Sequence, residues 1–176
     1  TTSNNVTFGS TVNSANATAR DLTLSIGTGT ARFDGVVGGT NALDVIGITG
    51  NLDLNAAILK SDSSAGATSL SVSGTSDLGA NVKTTGAQSY TGAVTLSGGD
   101  RTLTGSTITT NGTIVGGSNS LSISGNAVFG NSTDDTITGV NQLSVSGTTT
   151  INTNTVTTAG AQAYTGAVTL GTDVTL

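Results

Sequence analysis

Thr84 to Leu96 reads TTGAQSYTGAVTL and Thr158 to Leu170 reads TAGAQAYTGAVTL, eleven identities in thirteen at an offset of 74. The upstream segments repeat as well: Leu70–Gly74 and Leu143–Gly147 are both LSVSG, at an offset of 73, so one residue has been gained between the two blocks. A third relation links Gly39–Gly47, GTNALDVIG, to Gly139–Gly147, GVNQLSVSG, and its identities fall on Gly, Asn, Leu, Val and Gly at every second position. That period belongs to a β-strand, whose successive side chains face opposite ways.

The alternation separates a buried phase from a wet one. Leu22, Leu24, Leu43, Val45, Leu70, Val72, Val94, Leu96, Leu121, Ile123, Leu143, Val145, Val168 and Leu170 occupy the apolar phase of such runs and are predicted to point inward, with their Ser and Thr neighbours in solvent. Gly or Asn closes each short run and supplies the positive φ that tight corners need. The strands recur roughly every 18 to 27 residues, which predicts a β-solenoid whose coils stack as parallel sheets. At about 4.8 Å per coil, roughly seven to ten coils give a rod on the order of 35 to 50 Å long. An antiparallel sandwich is the competing architecture, but it calls for even strand spacing, hairpin turns and bulkier core residues.

Composition narrows the chemistry. The 176 residues contain no Pro, Cys, Met, Trp, His or Glu, so the chain has no imidazole base, no thiolate, and no usual ligand set for zinc, copper, haem or iron–sulfur clusters. Thr, Ser, Asn and Gly make up more than half of the residues, which favours strands and turns over helices. The net charge is −5, and neither half forms a basic patch, which argues against a nucleic-acid partner. No apolar run approaches the roughly 20 residues that span a bilayer as a helix. The whole of 1–176 reads as a single all-β solenoid segment.

In the two TGAVTL segments and in Val6–Gly27, VTFGSTVNSANATARDLTLSIG, the chain resembles the repeat region of large bacterial exoproteins of the filamentous haemagglutinin-like type. The resemblance covers nearly the whole chain. It implies a right-handed parallel β-helix that forms part of a fibrous adhesin, is exported by a partner outer-membrane channel, and is displayed outside the cell. The secretion domain and effector domains of that family have no matching segment here, so the resemblance carries no adhesive role to any single residue.

Candidate sites are few. Asp134–Asp135 is the only adjacent acidic pair and offers two hard oxygen ligands for calcium, whereas Ser97-Gly98-Gly99-Asp100 is too short for a calcium-binding nonapeptide and does not recur. The alternative is a solvated loop, and the other Asp residues suit corners, where they bond their own backbone. Asp21, Asp34 and Asp100 stand beside Arg20, Arg32 and Arg101, the groups a polysaccharide-cleaving β-helix would use, but sequence neighbours on a strand face opposite sides. Thr148 to Thr155 has alternate hydroxyls able to form a ladder like an ice-binding face. Such a face needs the same spacing on many consecutive coils, and Leu103–Thr107 and Leu121–Ser124 interrupt it. Asn5, Asn16, Asn111 and Asn131 each open an Asn-x-Ser/Thr triplet, expected by chance in this composition. Tyr90 and Tyr164 hold equivalent repeat positions and fit a shared packing niche better than a sugar platform.

These readings lead to a non-catalytic, structural and adhesive shaft of a secreted or surface-displayed bacterial exoprotein, with no cofactor, no metal site and no catalytic residue. A carbohydrate-binding or polysaccharide-processing β-helix is the alternative. An enzyme should show one cleft where Asp and Lys or Arg converge, and a shaft should show similar surfaces coil after coil. The expected partners are a host-surface or glycan receptor, the secretion channel, and an axial neighbour. The strand-like Thr169–Leu176 points to continuation of the polypeptide or to stacking of copies into a filament.

Overall fold

The structure is a computed structural model describing residues 3–176. It is a β-solenoid: seventeen strands and no helix among the described residues, with every pairing between named strands parallel. Each turn of the solenoid passes along three faces, long strands such as Leu43–Leu54 running from one face to the next and Val12, Val37 and Ile58 pairing only through single bridges. On the first face Val6, Ala31, Leu52, Ser76, Val94, Ile114, Ile137 and Val156 stack in register. On the second face the column is Val12, Val37, Ile58, Val82, Leu103, Ile123, Val145 and Tyr164. On the third it is Leu22, Ile46, Leu70, Gln88, Ile108, Ala127, Thr149 and Val168. Each column has eight members, so the chain makes eight turns. From one turn to the next the numbering advances by as little as 18, from Leu70 to Gln88, and by as much as 25, from Val6 to Ala31. At about 4.8 Å per step the eight turns span roughly 34 Å.

The core is narrow because three inward rows of Val, Leu and Ile fill the triangle between the faces. Leu54, Leu78, Phe33 and Phe129 are all essentially inaccessible. Burying one such side chain contributes about 1.5–3 kcal/mol, and repeating that over every turn compensates for a low overall hydrophobic content. Near the amino-terminal end Phe8 and Phe33 stack with ring centroids 4.8 Å apart.

Corner residues join one turn to the next. Asn51 Oδ1 accepts from the N–H and the hydroxyl of Thr75, at 2.9 and 3.0 Å, and Asn126 Oδ1 does the same from Thr148 at the same two distances. Asp21 Oδ1 accepts from Val45 N–H at 3.1 Å and Asp100 Oδ1 from Ser120 N–H at 2.7 Å. These two corner aspartates therefore satisfy the backbone of the following turn, not their own. Gly125, at φ +146°, lies so close to the Gly105 carbonyl that a Cβ would collide with it.

Nine of the fourteen predicted inward residues are buried, among them Leu43, Leu70, Val72, Ile123 and Val145. Val45 is the clear exception, 40% exposed. The strand Leu43–Leu54 bends at Asp44–Val45, so its inward positions are Leu43, Ile46 and Ile48, and the alternation shared with Leu143–Val145 breaks there. Leu22 and Leu24 are half-buried, and Val168 and Leu170 are 43% and 56% exposed. All four have the inward phase, since their register partners are the buried Ile46, Ile48, Thr149 and Ile151, but they lie in the first and last turns with a neighbour on one side only.

The two near-identical segments do not occupy the same face. In the first, Gln88–Tyr90 lies on the third face and Val94–Leu96 on the first. In the second, Gln162–Tyr164 lies on the second face and Val168–Leu170 on the third. One sequence module therefore serves different faces of the prism.

Candidate functional site

Wherever the module sits, it builds the same interior pair. Gln88 is fully buried, and its Nε2 donates to the Thr104 carbonyl at 2.8 Å and to Thr84 Oγ1 at 3.2 Å. Its Oε1 accepts from the Tyr90 hydroxyl at 2.9 Å. In the second copy Gln162 Nε2 donates to the Val156 carbonyl at 2.9 Å and the Tyr164 hydroxyl donates to Gln162 Oε1 at 2.8 Å. Burial pushes the pKa of both phenols upward. Tyr90 presents no face to solvent, so it is not a sugar platform.

The sequence-predicted acidic and basic groups are scattered. Asp135 Oδ2 accepts from the N–H groups of Asn131 and Ser132, each at 3.1 Å, which closes the Gly130–Asp135 loop. Asp134 N–H donates to Ser132 Oγ at 3.2 Å. One of the two carboxylates is thus engaged within the loop. Among the described residues no three His, Cys, Asp or Glu side chains are grouped to hold a metal ion.

The arginines do not converge. Arg32 bridges Asp34 at 2.8 Å and Asp53 at 3.3 Å in a half-exposed cluster on the first face. Arg101 is buried along its stem, and its Nε donates to the carbonyls of Ser97 and Gly99 at 3.0 and 3.1 Å. That interaction gives the Ser97–Asp100 loop its purpose: it wraps a guanidinium.

Hollows mark the surface. One, of about 430 Å³, lies beside the Leu59–Ala65 outgrowth on a floor of Val36, Ala57 and Leu59, with Lys60 as its charged side chain. Asp62, in the same outgrowth, is held below the usual carboxylate range, chiefly by hydrogen bonds from the Ser64 hydroxyl and N–H. A second hollow, of about 360 Å³, is bordered by Asp100, Arg101 and Gln142. A third, of about 230 Å³, is lined by Lys83, whose Nζ donates to the Ser63 carbonyl at 2.7 Å. In none of them does an unengaged carboxylate face a cation across a space for substrate.

The threonines are arranged differently from the sequence expectation. Thr148 to Thr155 turns a corner: Thr149 and Thr153 are buried, and only Thr148 and Thr150 stand outward on one face. The ladder runs across the turns instead. On the third face Ser71, Ser89, Thr109, Val128, Thr150 and Thr169 are register neighbours in consecutive turns. Leu103 and Leu121–Ser124, read as interruptions, belong to the second face and do not break this column. The signal that sequence reasoning missed is Thr-x-Thr on alternate turns, at Thr107–Thr109 and Thr148–Thr150.

Comparison with protein-family models, curated proteins and solved structures finds no match to this chain.

Proposed function

We propose that this chain is a stretch of the shaft of a secreted or surface-displayed bacterial exoprotein, non-catalytic, structural and adhesive in role. The observation that carries the reading is the use of one module on different faces. Gln88–Tyr90 and Gln162–Tyr164 keep the same internal hydrogen bond on different sides of the prism, a repeated device suited to extending a rigid rod. The filamentous haemagglutinin-like resemblance supplies the extracellular setting, the outer-membrane secretion partner, and a host-surface or glycan receptor as partner. Among the described residues the outer strands Val6–Phe8 and Val168–Leu170 each pair with one neighbouring strand, and their other edges suit another parallel coil, from the same polypeptide or from a second copy. Antibodies raised against the 176-residue chain test the reading on intact cells and culture medium of the source organism. Labelling at the surface or in the medium is expected; antigen confined to the cytosol would overturn it.

A further inference from the structure

The outward column on the third face runs unbroken through six consecutive turns. From Ser71 through Ser89, Thr109, Val128 and Thr150 to Thr169, five register steps of about 4.8 Å carry it roughly 24 Å along the axis. On three of these turns a second outward row runs beside it, two residues earlier, at Thr107, Asn126 and Thr148, with the Thr148 N–H and hydroxyl both donating to Asn126 Oδ1. Two residues along a strand separate the rows by roughly 6.6–6.8 Å. Over those three turns the face is a two-row grid of hydroxyl, methyl and amide groups, and beyond them the single column continues.

Charge is absent from this grid. After Arg101 the chain carries only Asp134, Asp135 and Asp173, none of them on these strands. The first face, by contrast, bears Arg32, Asp53 and Asp77 in one outward column. Beneath the grid lie Gln88, Ile108, Phe129 and Ile151, all buried, which hold the strands rigid. Thr and Val are stiff at χ1, so their methyl and hydroxyl groups stand in few positions and lose little entropy when the water over them orders.

We propose that the third face, from Ser71 to Thr169, binds the surface of ice. Its two grid spacings are of the size of the oxygen repeats on the prism planes of ice. Charged side chains would impose their own hydration on the water layer, and the grid has none. Hydroxyl and methyl groups at fixed spacing instead hold a water layer that matches the crystal. The proposal is independent of the shaft reading, since it requires only this face.

Slow growth of ice from a solution of the 176-residue chain tests it, with the protein partitioned between crystal and liquid and inhibition of recrystallisation as a second readout. Wild type is expected to enter the ice, as is a Thr95→Lys, Thr138→Lys variant of the first face. A Thr109→Lys, Thr150→Lys variant, matched in charge and spacing, is expected to lose incorporation entirely. Ser89→Lys replaces it should circular dichroism show the double variant unfolded. Exclusion of wild type from ice overturns the proposal. So does unchanged incorporation of a folded third-face variant, or binding of wild type to crystalline cellulose or chitin with exclusion from ice.

Discussion

The Tyr90 hydroxyl donates to Gln88 Oε1 at 2.9 Å inside a core where both side chains are wholly buried. Two residues apart on one strand, they point the same way and satisfy each other where no water reaches. Burial without a compensating charge keeps the phenol protonated well above its ordinary range. The folded state therefore retains a proton that the unfolded chain releases near pH 10, so stability is full below that pH and falls as pH rises above it. The slope is about 1.4 kcal/mol per pH unit for one such tyrosine. Denaturant unfolding at increasing alkalinity should show this loss. Tyr90→Phe should remove most of it, leaving the smaller contribution of half-buried Tyr164.

Ser76 Oγ and Thr149 Oγ1 are buried without a hydrogen-bond partner. They are equivalent in the duplicated block, each following Ser-Gly-Thr, and they too lie on different faces, the first and the third. An unpaired buried hydroxyl costs about 1–3 kcal/mol. Thr149→Val, which keeps the shape, should raise stability by about 1 kcal/mol, and Ser76→Ala by a similar or smaller amount. A lowered midpoint in thermal or urea unfolding for Thr149→Val would show that its hydroxyl is satisfied after all.

Gly125 and Gly47 separate backbone necessity from tolerance. Alanine at 125 brings a Cβ against the Gly105 carbonyl at a backbone angle of φ +146°, whereas at 47 a Cβ meets nothing within 4 Å. Gly125→Ala should cost more than about 2 kcal/mol, and Gly47→Ala should be neutral or stabilising by up to about 1 kcal/mol. Parallel unfolding curves read both.

Asn126 joins its corner to Thr148 in the next turn through two hydrogen bonds. Asn126→Ala should destabilise by about 1–2 kcal/mol, and Asn51→Ala by more, because it loses the same pair to Thr75 and also the donation from its Nδ2 to the Thr28 carbonyl at 3.0 Å. A smaller loss for Asn51→Ala than for Asn126→Ala in urea unfolding would contradict this ranking.

Strand phase was legible where a short run lay on a single face: Leu70-Ser71-Val72 and Leu143-Ser144-Val145 read correctly for that reason. It failed at Val45, since the long strand Leu43–Leu54 turns a corner without a glycine at the bend and the inward phase slips by one residue. Which face a repeat occupies was not legible at all. Turn lengths vary, with an advance of 18 from Leu70 to Gln88 and of 23 from Ile114 to Ile137, so an offset of 74 carries no fixed phase. For the same reason the third-face hydroxyl column stayed hidden, as its members are neighbours only once each turn has been closed. The corner pairs left a sequence trace: Gly50-Asn51 is followed one turn later by Gly74-Thr75, and Gly125-Asn126 by Gly147-Thr148.

The stacking of turns is tested most directly by a distance between spin labels on Ser71→Cys and Thr169→Cys, introduced into a chain that has no cysteine of its own. These positions are far apart in sequence but lie on one column, five register steps from each other. A single narrow distribution centred at about 24 Å, widened only by the label arms, is the predicted result. A broad distribution, or a separation far above that value, would contradict the solenoid and every inference built on its faces.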